Sequence, residues 1–386
     1  MKTFNKTTTL VTIAFAALSF AACKKSSTPE PQKESIRTAI SYSTLTAATP
    51  YASTFLVNGG TQSTVDFTEG NQRYRMFQAI NAYAGTGTTV AIDANVLKNM
   101  FSNTGTPFTG TYADLNGTVV QLKNVVASSL SATDAATVRS KVEADLTSMA
   151  TISLSTAVTA SRGTAGKLGT RIVDARGIEV AQIIQKGLIG ALQYDYIANV
   201  LLSSGLDAEN YAVVTGKNYT QLEQNWDTAY GLLTLNPIYL AGSTNTTRGT
   251  TEFALGSYIW EYNKDNYANI YPAFLKGRAA IVNNDKVELQ AQATFIKTQM
   301  EIAIAKAAVG YLDKWGTRTT DAERAHDIGE GGGFIYSLRF CKINGGDAAF
   351  SDGILNGLLS ADGGIWDITP AKIATATAAI KAKFKL

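Results

Sequence analysis

Over residues 287–312 apolar side chains return at three- and four-residue steps: Leu289, Ala293, Ile296, Met300, Ala303, Ala307 and Tyr311. That periodicity describes one amphipathic helix of about seven turns. A rod of that length is marginal alone and must bury its stripe against other elements. Convincing period-2 runs are scarce elsewhere in the chain, so those elements are expected to be helices too. The fold class that follows is all-α: an antiparallel helical bundle, read as two packed helical halves that divide near residues 205–220.

The other helices are read from the same spacing. Residues 177–203 carry Ile178, Ile184, Leu188, Leu192 and Ile197 on a wide apolar face, with Gly187 and Gly190 among them. A glycine inside a helix costs about 1 kcal/mol against alanine, so the pair implies close backbone approach to a neighbour. Gln182, Gln185, Lys186 and Asp195 argue against a membrane-dimer helix there. Further helices are expected at 70–84, at 93–103 with Asp93 as N-cap, from 133 to 149 and at 219–233. Others are expected at 263–281 with a kink or break at Pro272, at 347–360, and at 370–384 with Pro370 in its first position. Residues 35–62, 104–118 and 153–169, rich in Thr, Ser, Ala or Gly, read as irregular or loop.

The first forty residues carry an address. Lys2 and Lys6 form a basic start, residues 10–20 an apolar stretch too short to span a bilayer stably, and Phe20-Ala-Ala-Cys23 a small-residue run ending in cysteine. This resembles a bacterial lipoprotein signal, with residues 1–22 removed and the Cys23 thiol lipidated. Residues 23–40 then serve as a tether and 41–386 as the helical domain. A secretory signal with an incidental Cys23 is the plainer alternative. The expected location is the cell envelope, lipid-anchored and facing the periplasm or the medium, with the outer membrane as the surface. The chain has two cysteines, so a lipidated Cys23 leaves Cys341 unpaired and the fold without a disulfide. The formal net charge is only +3, with 34 basic and 31 acidic residues, and removal of Lys2 and Lys6 brings it nearer neutrality. Nucleic acid is not the expected partner.

The one histidine, His326, stands in the most unusual stretch. At helical spacing Glu323, His326, Asp327 and Glu330 share one face. An imidazole and carboxylates suit Zn, Mn or Fe, and bundle cores build such sites from facing helices, so Asp227 or Glu223 would be natural partners. The alternative is a solvated face whose acids offset Arg318 and Arg324. Gly331-Gly-Gly333 is read as a break or tight crossing, with a phosphate nest as the lesser option and no Walker spacing to support it. No serine sits in a nucleophile-elbow setting. Trp226, Tyr230, Trp260, Tyr262, Tyr267, Tyr271 and Trp315 concentrate aromatics in the middle of the chain, as core or as a stacking surface.

Four runs together carry a resemblance: residues 177–191, Asn225-Trp-Asp-Thr-Ala-Tyr-Gly231, Gly277-Arg-Ala-Ala-Ile281 and 326–340. They resemble an uncharacterised family of envelope lipoproteins, domain-of-unknown-function family 4856, which is similar to the imelysins, helical iron-regulated envelope proteins. The resemblance spans about residues 40–385 and implies a helical bundle in two halves, an envelope location and a part in iron or haem uptake. Of the imelysin motif Gly-x-His-x-x-Glu, His326 is matched; Arg324 replaces the glycine, Gly329 stands where the acid would be, and Glu330 comes one place late.

The expectation is therefore a lipid-anchored, non-catalytic binding protein. Its ligand is iron, another divalent metal, haem or a small molecule, held by His326 and Glu330 with Asp327 or Glu323 assisting. The alternative is a carbohydrate- or protein-binding accessory lipoprotein of a nutrient uptake system, using exposed aromatics. A third reading, metal-dependent peptidase activity, would need Glu330 as general base.

Overall fold

The computed structural model describes Met1, residues 35–233 and residues 252–386. Residues 2–22 of the expected signal, Cys23 and most of the tether lie outside the described residues. Residues 35–386 form one compact unit. Its longer α-helices are α1 (Thr68–Thr86), α2 (Ala94–Ser102), α3 (Ala132–Ser153), α4 (Val180–Leu188), α5 (Gln221–Leu233), α6 (Leu255–Tyr262), α7 (Lys264–Val282), α8 (Lys286–Trp315), α9 (Asp321–Ser337), α10 (Ala348–Leu359) and α11 (Pro370–Phe384). Among the described residues the only sheet is a two-stranded antiparallel hairpin, β1 (Gly166–Leu168) and β2 (Arg171–Val173), registered Gly166 to Val173. The all-α class holds, although the stretches read as irregular contain short regular elements: a helical turn at Tyr51–Thr54, a 3-10 helix at Gly110–Gly117 and the first strand of the hairpin.

Several boundaries follow from side chains visible in the sequence. Asp93 accepts the Asn95 amide and starts α2, and Thr320 with Glu323 makes a capping box that starts α9. Pro370 occupies the first turn of α11, where its missing N–H has no intrahelical acceptor to lose. Helix α8 is the spine: it packs against α9, α7, α6 and α11, and its stripe joins a single continuous core. Helix α9 packs against α4, and α1 packs against α5.

Three departures have physical causes. Pro272 does not break α7, which is continuous from Lys264 to Val282. The cost of an interior proline, about 3 kcal/mol, is offset by burying Tyr271, Phe274 and Leu275 around it. Gly331-Gly-Gly333 likewise interrupts nothing, because it lies inside α9; its amides belong to the helix, which removes the phosphate-nest reading. The glycines serve a tight crossing instead. A Cβ on Gly333 would come within 2.5 Å of the Lys186 Cβ, and one on Gly190 would run into Ser337.

That crossing also reshapes the 177–203 helix. The Ser337 hydroxyl donates to the Lys186 carbonyl at 2.6 Å and accepts the Gly190 amide at 3.1 Å. It thus stands between the two groups that an α-helical hydrogen bond would join. From Ile189 to Leu201 the helix continues as a wide π-helix. A side chain inserted into the ladder accounts for the change of winding. Gly333→Ala is expected to lower stability by about 1–3 kcal/mol through overpacking, read as a fall in urea midpoint at unchanged slope.

Candidate functional site

Helix α9 carries the stripe singled out in the sequence, and the structure divides it. Glu323 is taken by the capping box, its carboxylate 2.9 Å from the Thr320 hydroxyl. Asp327 is fully buried and receives Arg318 Nε at 2.6 Å. These two acids face the loop before α9. His326 and Glu330 turn toward α4 instead, where His326 Nδ1 is 2.8 Å from Glu179 Oε2 and Nε2 is 3.4 Å from Glu330 Oε1.

Glu330 has a nearer cation. Lys186, 2 % exposed, places Nζ 3.1 Å from Glu330 Oε1 and 2.9 Å from Gln182 Oε1, and it lies over the Tyr258 ring. The Tyr258 hydroxyl donates to Glu330 Oε2 at 3.4 Å, and Tyr311 also hydrogen-bonds that carboxylate. Burial works against ionised Glu330, but the Lys186 charge and these donors bring its pKa below the usual carboxylate range. Burial pulls the Lys186 ammonium below its ordinary value, with Glu330 opposing.

These donors do not fit a bound metal. The four-residue set of Glu323, His326, Asp327 and Glu330 does not converge, and the Lys186 ammonium occupies the side of Glu330 that a metal cation would need. Asp227 and Glu223, the expected helpers, are spent elsewhere: fully buried Arg278 reaches Glu223 at 2.9 Å and Asp227 at 3.1 Å. Among the described residues no three His, Cys, Asp or Glu side chains gather in a metal-holding group. Glu330 as a general base meets the same obstacle, since its lone pairs are committed to Lys186 and two tyrosines.

A second feature has the shape of a binding site. The end of α8, the start of α9, the turn Gly364–Asp367 and α11 enclose a groove of about 820 Å³, within the usual size of small-molecule sites. Trp315 and Trp366 line it, with Arg324 from α9 and Thr377 from α11. The turn that carries Trp366 is held in place by several contacts. Arg162 pairs with Asp367, and the Ile365 amide donates to the Arg176 carbonyl at 3.0 Å. Gly364 adopts φ +57° where a Cβ would strike the Arg176 backbone, so only glycine closes this turn without strain.

Three polar atoms of the lining residues lack partners and are themselves shut off from the groove's open space. Trp315 Nε1, Arg324 Nε and Thr377 Oγ1 are buried without a hydrogen bond. Trp315 and Thr377 are 7 % and 8 % exposed. Of these residues only Trp315 stood among the sequence candidates, as an aromatic more at home in the core. The overlooked signal was local: a tryptophan in a Gly-Gly turn shortly before the Pro370 helix start.

Fold and geometry define the class as an all-α bundle with an aromatic-lined surface groove and an internal acid–base network. The chain belongs to the family described as Domain of unknown function (DUF4856), whose model matches residues 50–386. No curated protein and no solved structure shows significant similarity to it.

Proposed function

We propose that the protein is a lipid-anchored cell-envelope binding protein, without catalysis of its own, and that its ligand seats in the groove between α8, α9 and α11. The observation that carries this reading is the set of three unpartnered polar atoms in the walls of one groove. Each buried unmade hydrogen bond costs about 1–3 kcal/mol, and native proteins leave few of them. A polar ligand entering the groove would offset part of that cost after small side-chain rotations. The amino-terminal pattern ending in Cys23 supports the anchor, with the outer membrane as the surface. No helix of the described residues is long and apolar enough to cross a membrane. Of the functions read from the sequence, the aromatic-using accessory protein of a nutrient uptake system therefore has more support than iron or haem binding at His326.

Two measurements test the reading. Cells fed an alkyne-tagged palmitate are expected to label the full chain and to leave Cys23→Ala unlabelled; equal labelling of both removes the anchor. In thermal-shift assays with saccharides, dipeptides, Fe²⁺ and haemin, an organic solute is expected to raise Tm. Ala378→Trp, which fills the groove from its exposed side, is expected to abolish that rise. A rise with Fe²⁺ or haemin that is lost in His326→Ala and kept in Ala378→Trp would instead restore the metal reading.

A further inference from the structure

From the groove's charge pattern and lining we infer that its ligand is an uncharged saccharide, bound with its apolar ring face against Trp366 and its hydroxyls toward Thr377, Trp315 and Arg324. The inference deepens the binding reading above and rests on it.

The charges decide against a charged ligand. Four ionised side chains line the groove, two of each sign, and each already has an opposite neighbour. Arg324 Nη1 is 3.7 Å from Asp321 Oδ1, and Lys381 Nζ is 3.9 Å from Asp313 Oδ2. An anion would meet Asp313 and Asp321 as well as the two cations, and a cation would meet the reverse. In either case an existing pair must be disturbed, and side chains this exposed gain little from a new one. A neutral molecule bearing both donors and acceptors meets no such conflict.

The remaining lining asks for an amphipathic ring. Ile373 and the exposed Ala374 and Ala378 of α11 give a low apolar wall and the partly buried Trp366 a flat one, while the Arg324 guanidinium lies over the buried Trp315 ring, 5.3 Å from its centroid. Aromatic surfaces of this kind take up apolar faces with little loss of side-chain entropy. Two of the unpartnered atoms, Trp315 Nε1 and Arg324 Nε, are N–H donors and want an acceptor oxygen. The third, the Thr377 hydroxyl, gives or accepts. A pyranose ring presents C–H faces and an edge of hydroxyls that both give and accept. Trp366 is the residue best placed for the stacking role, because it is only partly buried and its turn is fixed by Arg162, Arg176 and Gly364.

The test is titration of the full chain, followed by tryptophan fluorescence and calorimetry, with neutral gluco-, manno- and xylo-oligosaccharides, uronic-acid oligosaccharides and dipeptides. A neutral oligosaccharide is expected to bind saturably. Trp366→Ala is expected to weaken it at least about tenfold, as for loss of a central aromatic anchor. Trp366→Phe should keep most of the affinity, and Thr377→Val should lose several-fold. Ala378→Trp, on the exposed wall, should block binding while leaving the circular-dichroism melt unchanged, so a folding defect at Trp366 cannot stand in for the result. Binding of only acidic oligosaccharides or dipeptides, lost in Ala378→Trp, overturns the neutral-saccharide inference and leaves the groove as the site. No binding of any probe, or binding indifferent to both Trp366→Ala and Ala378→Trp, overturns the inference and the groove together.

Discussion

Arg278→Ala is expected to lose about 3–5 kcal/mol of folding stability, the amount typical of removing one partner from a buried ion network. Arg278 is fully buried on α7 and serves two fully buried carboxylates of α5, Glu223 and Asp227, while its Nη2 donates to the Thr64 hydroxyl at 2.9 Å. The same carboxylates tie down the start of the described chain. Arg37 reaches Glu223 at 2.8 Å, and the Tyr51 hydroxyl reaches Asp227 at 2.9 Å. Without the guanidinium, two carboxylates would be left in the core with only Arg37 between them. Burial pushes Asp227 up to about 6, against the pull of Arg278. A carboxyl raised above its unfolded value of about 3.9 contributes stability that is fully present below that value. That contribution is lost as pH rises through the folded pKa. Removing Arg278 raises the carboxyl further, so the variant's deficit should be smaller at pH 5 than at pH 8. Urea unfolding of both proteins at the two pH values measures this, and an equal deficit at both would mean that Asp227 is not the group left stranded. Combining Arg278→Met with Glu223→Leu and Asp227→Leu should recover much of the loss, since no charge is then buried.

The fold was far more legible than this network. Apolar spacing located α8, polar spacing placed residues 323–330 on one helical face, and Asp93 and Pro370 marked the starts of α2 and α11, because periodicity and capping are properties of neighbours in sequence. Gly190 announced a close crossing, and the partner turned out to be the Gly333 region of α9. Which hydroxyl entered the ladder there was not readable, since Ser337 and Lys186 meet only after α9 docks on α4. The His326 stripe is divided for a related reason. Four polar groups on one helical face need not share a partner: Asp327 and Glu323 sit far enough around it to meet Arg318 and Thr320, while His326 and Glu330 meet α4. The groove was least legible of all, because its walls come from four separated segments and its unpartnered atoms belong to residue types that are ordinary in any core. Trp366 is the exception, as a large aromatic in a glycine turn has no core stripe to belong to.

Lys186→Met is expected to cost a similar amount, about 3–5 kcal/mol, and its pH dependence reports on the network that occupies the expected metal position. In the native protein Glu330 is depressed despite its burial, because Lys186, Tyr311 and His326 favour the ionised form. A depressed carboxyl contributes stability that is present above its unfolded pKa, near 4.3, and is lost as pH falls through the lower folded value. Removing Lys186 takes away the strongest of those influences and leaves desolvation in command, so the Glu330 carboxyl should rise. Its contribution then has the opposite sign: the variant should be least destabilised near pH 5 and most destabilised at pH 8, relative to the native chain. Glu330→Gln alone strands the Lys186 ammonium, whereas the double variant strands neither group. The double-mutant cycle should therefore show a coupling of about 1–3 kcal/mol, and additive losses would mean that the 3.1 Å pair contributes no more than its separate halves. The same variants separate the two roles open to His326. If Lys186 fills the place of a cation, Fe²⁺ should leave the native Tm unchanged whether or not His326 is present. Lys186→Met, with Glu330, His326 and Glu179 left facing one another, is the form in which any latent metal affinity of these side chains should first appear.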